Sequence, residues 1–394
     1  MPRSLVVNLL VLALGVVVAA TVIGLVTLWP DERELQAQPG SLPAQADTEQ
    51  ARVVAVRETA CAEGSNQVCR RVTVELLGGE DEGERTSFTV GDLGEGSNAT
   101  VGDRVRVHAN PVPPEAGIGG VTVDPYVFAD FERRAPLGIL FAIFAGLVIV
   151  TGRIRGLRAL IGLIASLGIV VFFLVPAILD GKTPETVALI GAFAVMLVTI
   201  PLAHGLGVKT LAACLGTSVS LVLTLVLADV FTDLAHLTGF ASEEAIYIRA
   251  VAEGISIQGL LLAGMIIAAL GVLDDLTVSQ ASTVLALQRA NPAQGFGELF
   301  RGAVAVGHDH IAATVNTLVL AYVGASLPVL LIFSFSGVTF SDAVNTEAVA
   351  SQIVAMLVGS IGLIAAVPVT TALAALLATR VRTPAPAHAQ AHVH

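Results

Sequence analysis

Two adjacent carboxylates, Asp274 and Asp275, stand between two uncharged runs. Residues 254–273 are nearly purely apolar, with Ser256 and Gln258 as their polar members, and residues 276–287 carry no charge. A carboxylate within or beside an apolar segment of this length is costly and is usually kept for function. Thr277, Ser279 and Gln280 follow closely as neutral oxygen ligands, so the chemistry expected here is proton or cation binding. The plainer alternative is a helix end bathed in water. A second cluster is Gly307-His308-Asp309-His310, followed by Thr314, Asn316 and Thr317. His-x-His suits a metal in an extended segment, where alternate side chains point the same way; on a helix the two diverge. A His–Asp pair also relays protons, and Asp309 as a helix cap is the bland alternative.

These groups need elements to hold them. The chain has 394 residues, of which 54% are hydrophobic and 13% charged, with a mean hydropathy of +0.80. Soluble domains average about 25% charged residues, so the expectation is a polytopic helical membrane protein. Residues 255–287 as one helix would measure about 50 Å against roughly 30 Å of hydrocarbon, so this segment must tilt, break or re-enter. Apolar runs predict eight transmembrane helices at 5–28, 136–151, 157–179, 186–202, 210–231, 255–273, 311–335 and 348–379. The last contains Pro368 and is too short for two spans. With the N-terminus inside, the inner segments hold nine basic residues and the short outer loops two, Lys182 and Arg249. That bias places both termini in the cytoplasm. On the sixth run Gly264, Ala268, Gly271 and Asp275 form one stripe, continued by Ser279 and Ser282. Its small residues predict close helix packing that opens into a hydrated site. The sixth run ends, and the seventh begins, on the cytoplasmic side. Asp274 and Asp275 are therefore expected to converge with His308, Asp309, His310 and Asn316.

Between the first two runs the period changes from helical to two. Residues 52–57, 68–77, 86–90 and 101–107 read as short strands separated by Gly-containing turns. They predict a small antiparallel β domain at 49–112, with 113–134 returning the chain to the membrane. Cys61 and Cys69 flank a turn there, and their pairing requires an oxidising, extracytoplasmic compartment. The resulting division is an anchor at 1–30, an extracytoplasmic linker and β domain at 31–135, seven helices at 136–380, and a tail at 381–394 carrying His388, His392 and His394. Asp229, Asp233 and His236 at i, i+4 and i+7 are weak candidates for a divalent metal; a solvated acidic face is the plainer reading.

Other classes are disfavoured. A net charge of −11 gives no nucleic-acid surface. There is no His-Glu-x-x-His, Gly-x-Ser-x-Gly or Walker A motif, so no enzyme activity and no cofactor are expected. Adjacent aspartates on a helix diverge by about 100°, which is poor geometry for a shared hydrolytic water. Two stretches, Gly264 to Ser282 and Gly307 to Tyr322, together with the anchor and the β domain, resemble the YibE/F family of bacterial membrane proteins over roughly residues 50–380. The resemblance implies this topology and a bacterial plasma membrane, and little about activity. The leading expectation is a secondary transporter or permease, coupled to protons or a cation, whose partners are the bilayer, a small ion or solute and a second copy of the chain. An inorganic cation is favoured as substrate. The competing expectation is a membrane-anchored accessory or sensor whose β domain binds an envelope partner. A transporter should show a polar cavity between the sixth and seventh spans, and a sensor a closed bundle.

Overall fold

In the β region alternate residues turn inward, and their spacing sets the sheet. The computed structural model describes residues 3–30, 48–61, 68–79, 81–91, 96–110, 124–252 and 254–380. It contains two compact units, Ala37–Leu147 and the combination of Met1–Gln36 with Val148–His394. The first holds β1 (Thr48–Ala60), β2 (Val68–Leu76), β3 (Arg85–Gly91), β4 (Arg104–Ala109) and β5 (Tyr126–Phe131), all antiparallel in the order β3-β2-β1-β4-β5. Ala51, Val53, Val72, Val74, Phe88, Val105 and Val107 fill its inner face. Asp124, just ahead of β5, accepts the backbone N–H of Thr89 in β3 at 2.8 Å, so the two edge strands curl toward each other as a half-barrel. Tyr126 donates to Asp81 at 2.8 Å. Burial first, and this bond second, push its phenol up to about 12. The strand β5 lies in the segment expected to lead back to the membrane. Its alternation is only six residues long and follows a Pro- and Gly-rich stretch, which hid it.

Cys61 and Cys69 are bonded, closing a loop at the end of the β1–β2 hairpin. Opening it by Cys61→Ser should cost the β unit about 2–3 kcal/mol. Limited proteolysis of the full chain should show faster cutting within 48–110 in the variant, and no difference between the two proteins once both are reduced.

The helical unit contains α1 (Arg3–Thr27) and the later part of α2 (Arg134–Ile169), which runs through a π turn (Val170–Leu174) into α3 (Val175–Leu179). Then come α4 (Pro184–His204), α5 (Val208–Leu234), α6 (Glu243–Val251), α7 (Ile257–Ala290), α8 (Phe296–Ala325), α9 (Leu327–Phe335), α10 (Phe340–Asn345) and α11 (Glu347–Arg380). Local chemistry marks the ends. Pro184 opens α4 and Gly205, at φ 77°, closes it. Ser256 caps α7 by accepting from Gly259 N–H at 3.0 Å. Glu347 accepts from the Thr238 and Gly239 N–H groups, tying the loop after α5 to the start of α11. The helix α7 packs against α4, α5, α8 and α11, and its Leu273 and Leu276 are buried in the main core.

Among the described residues six helices are long and apolar enough to cross a membrane, or seven if α8 and α9, bent by 58°, form one span. The runs expected at 136–151 and 157–179 lie on either side of an interruption of the helical backbone at Arg153 (φ 50°, ψ −131°). α7 neither breaks nor re-enters; it continues through both uncharged runs for 34 residues, about 50 Å. α8 begins at Phe296, so only five residues, 291–295, separate it from α7, and His308, Asp309 and His310 lie inside a helix. An extended His-x-His ligand pair is therefore not formed. α11 is a single helix containing Pro368.

Candidate functional site: a carboxylate cleft on α7

Seventeen residues of α7 precede Asp274 and sixteen follow it, so the carboxylates sit mid-helix and cap nothing. Asp274 lies at the edge of the buried face of α7, and Asp275, one position on, is exposed. Both line a cleft of about 560 Å³ walled by α2, α4 and α7. Its walls are mostly apolar, including Leu163, Leu167, Ile200, Ile267 and Val278, with Ser166, Thr199, His204 and Ser279 as polar members.

Asp274 is poorly served with hydrogen bonds. Its Oδ1 is buried and has no partner among the described residues. Its Oδ2 lies 3.5 Å from the Thr199 hydroxyl, which also donates to the Val195 carbonyl at 2.9 Å. Thr199 has one proton, and the shorter bond holds it. A protonated Asp274 can instead donate to the free lone pair of Thr199. An ionised Asp274 can draw on the Thr217 hydroxyl of α5 or on a cation or water from the cleft, because a buried unpaired charge is strongly disfavoured. The site can thus hold a proton or a small cation and exchange it with the cleft.

The other polar residues of α7 divide by face. Ser279 joins the cleft. Thr277 is fully buried and its hydroxyl meets that of Thr217 in α5 at 2.7 Å. Gln280 is also buried and donates to the Ala303 carbonyl at 2.7 Å and to the Thr371 hydroxyl at 2.8 Å, bridging α8 and α11. Both are packing residues of the helix bundle. The expected polar cavity between α7 and α8 is filled by this bridge: a Cβ on Gly307 would stand 2.6 Å from Val367 and 3.1 Å from Gln280. The cleft lies on the opposite side of α7.

The structure does not bring the histidine cluster to Asp274. His308, Asp309 and Asn316 are exposed on α8, His310 is half-buried, and none of them lines the cleft. The proposed triad of Asp229, Asp233 and His236 also fails to form. α5 ends at Leu234, and His236 has turned into the left-handed region at φ 52°, off the helical stripe that spacing assumed. Asp233 is taken by Gln258, which donates to it at 3.0 Å. Among the described residues no group of three His, Cys, Asp or Glu could hold a metal. His388, His392 and His394 lie outside the described residues. Thr199, Ser166 and His204 were not legible as site residues; single hydroxyls in an apolar helix carry no signal until the neighbouring helix is placed.

Several long apolar helices around a half-buried carboxylate cleft, with a separate β unit, define a membrane protein. More specifically, the chain belongs to the YibE/F-like family, whose description, YibE/F-like protein, matches residues 140–380. No curated protein and no solved structure matches the chain.

Proposed function

We propose that this chain is a secondary transporter or permease of the bacterial plasma membrane, coupled to protons or a cation through Asp274. The observation that carries the reading is a mid-helix carboxylate that lines an open cleft and has one buried oxygen without a hydrogen-bond partner among the described residues. Intramembrane carboxylates of this kind mark ion and proton paths. Among the described residues Asp275 and His204 are the other titratable groups on the cleft; Asp275 would exchange the ion with water, being exposed.

The topology that fits this reading has eight spans. At the Arg153 break the Val148 carbonyl oxygen stands 2.1 Å from where a Cβ on Gly156 would be. The reading counts 136–151 and 157–179 separately, one on each side of that break. With α8 and α9 as one span, the total is even and both termini share a side. The nine-to-two charge bias makes that side cytoplasmic, and the disulfide suits a β unit outside.

The test is flux. The purified chain, reconstituted in vesicles containing a pH-sensitive dye, is exposed in turn to gradients of inorganic cations, inorganic anions and small organic solutes. At least one gradient should move protons or the coupling cation across the wild-type membrane. If no gradient moves either, the accessory or sensor alternative takes its place.

A further inference from the structure

A second cavity adjoins the carboxylate cleft and shares Ala159, Ala203 and His204 with it. It measures about 1010 Å³ and its character is opposite. Arg155 and Arg158 enter from α2 just after the Arg153 break, Lys209 from the first turn of α5, and Arg289 from the last turn of α7. Among the described residues no acidic one lines it. None of these four cations makes an ion pair among the described residues.

We infer that this cavity binds a phosphate group. Four cations from three helices line one concavity, Arg155, Arg158 and Arg289 exposed and Lys209 half-buried; an anion there relieves their mutual repulsion, and a concave wall focuses their field. A scatter of surface charges selected only for membrane orientation would have no reason to converge. The donor set suits a tetrahedral oxyanion: guanidinium forks for paired oxygens and an ammonium as a point charge. Lys209 Nζ lies 3.1 Å from His204 Nδ1. With the ammonium donating to Nδ1, the imidazole keeps its proton on Nε2 and offers one more donor. The volume exceeds a lone phosphate ion, so there is room for the group that carries it. The source is either the headgroup of an anionic lipid, a known use of basic pockets between membrane helices, or a free phosphate compound from the aqueous side. The inference does not rest on transport.

Two probes separate the sources, both on the full chain in neutral detergent. Inorganic phosphate is titrated calorimetrically, and native mass spectrometry counts phosphatidylglycerol retained from vesicles of phosphatidylglycerol and phosphatidylcholine. Wild type should bind at least one probe, with affinity falling as salt rises. Arg155→Gln with Lys209→Gln should weaken that binding about tenfold or more. Lys209→Arg should keep most of it, which separates lost charge from a damaged fold. Arg301→Gln, exposed on α8 and outside the cavity, should leave it unchanged. Phosphate binding without lipid retention assigns the free compound, and retained lipid that phosphate does not displace assigns the headgroup. Absence of both in wild type, binding unchanged in the double variant, or an equal loss in Arg301→Gln overturns the inference.

Discussion

Asp274→Asn is expected to lower coupled flux by about 100-fold or more, the contribution of a well-placed proton-transfer group, while leaving the protein folded. The amide keeps the shape of the side chain and removes its ability to ionise. Stability should hold or rise. A neutral amide costs less to bury than an ionisable carboxyl, and Oδ1 of Asp274 is buried without a hydrogen-bond partner among the described residues. Residues kept for activity at the expense of stability behave this way when replaced. Asp275→Asn should have a smaller effect, because its exposed carboxylate has water as an alternative. A substrate-free readout accompanies the flux. An apolar carbodiimide adds to a protonated carboxyl and leaves an N-acylurea of known mass. The label should fall on Asp274 ahead of Asp275 and disappear in Asp274→Asn. It should also decline as pH rises, because only the protonated acid reacts. Wild-type flux in Asp274→Asn together with Asp275→Asn would remove these carboxylates from the mechanism.

The sequence made the carboxylates visible because charge within a long apolar run is rare and physically costly. It also exposed the strand alternation and the cysteine pair, which are local patterns. It could not sort the polar residues of α7. Thr277, Ser279 and Gln280 look alike as neutral oxygen donors within six residues of Asp274. Their fates depend on which helix each face meets: Thr277 meets Thr217, Gln280 meets Ala303 and Thr371, and only Ser279 meets the cleft. The histidine cluster misled for a related reason. Starting a span at residue 311 left His308 to His310 in a loop free to fold back on Asp274. The helix actually begins at Phe296 and carries them outward. The helix start was obscured because Phe296, Leu299 and Phe300 are interleaved with Glu298, Arg301 and three glycines, which dilutes the apolar signal. The break at Arg153 falls between the runs expected at 136–151 and 157–179, where Gly152, Arg153, Arg155 and Gly156 interrupt the apolar pattern.

Glycine placement gives the second large effect, and it reverses the expectation from spacing. Gly264 and Gly271 form the regular stripe on α7, yet a Cβ on either meets open space. The close approaches lie elsewhere. A Cβ on Gly216 in α5 would stand 2.0 Å from the Thr370 hydroxyl of α11 and 3.3 Å from its Cα. A Cβ on Gly362 in α11 would stand 2.1 Å from the Thr224 hydroxyl of α5. These two helices therefore touch nearly backbone to backbone, as small residues permit in a membrane bundle. Gly216→Leu should cost about 3 kcal/mol or more, because an overpacked core must shift the helix axis. Gly216→Ala should cost less, and part of its loss should return when Thr370→Ala removes the colliding hydroxyl, a coupling that independent sites do not show. Gly264→Ala should stay within about 0.5 kcal/mol, the range of substitutions that touch nothing. Thermal midpoints of the full chain in one detergent order the four variants directly. An equal loss at Gly264 and Gly216 would mean that the stripe on α7 is the packed face after all. Gly271→Leu separates packing from function on that same face: its side chain would enter the cleft beside Asp274, so it should suppress flux at unchanged stability.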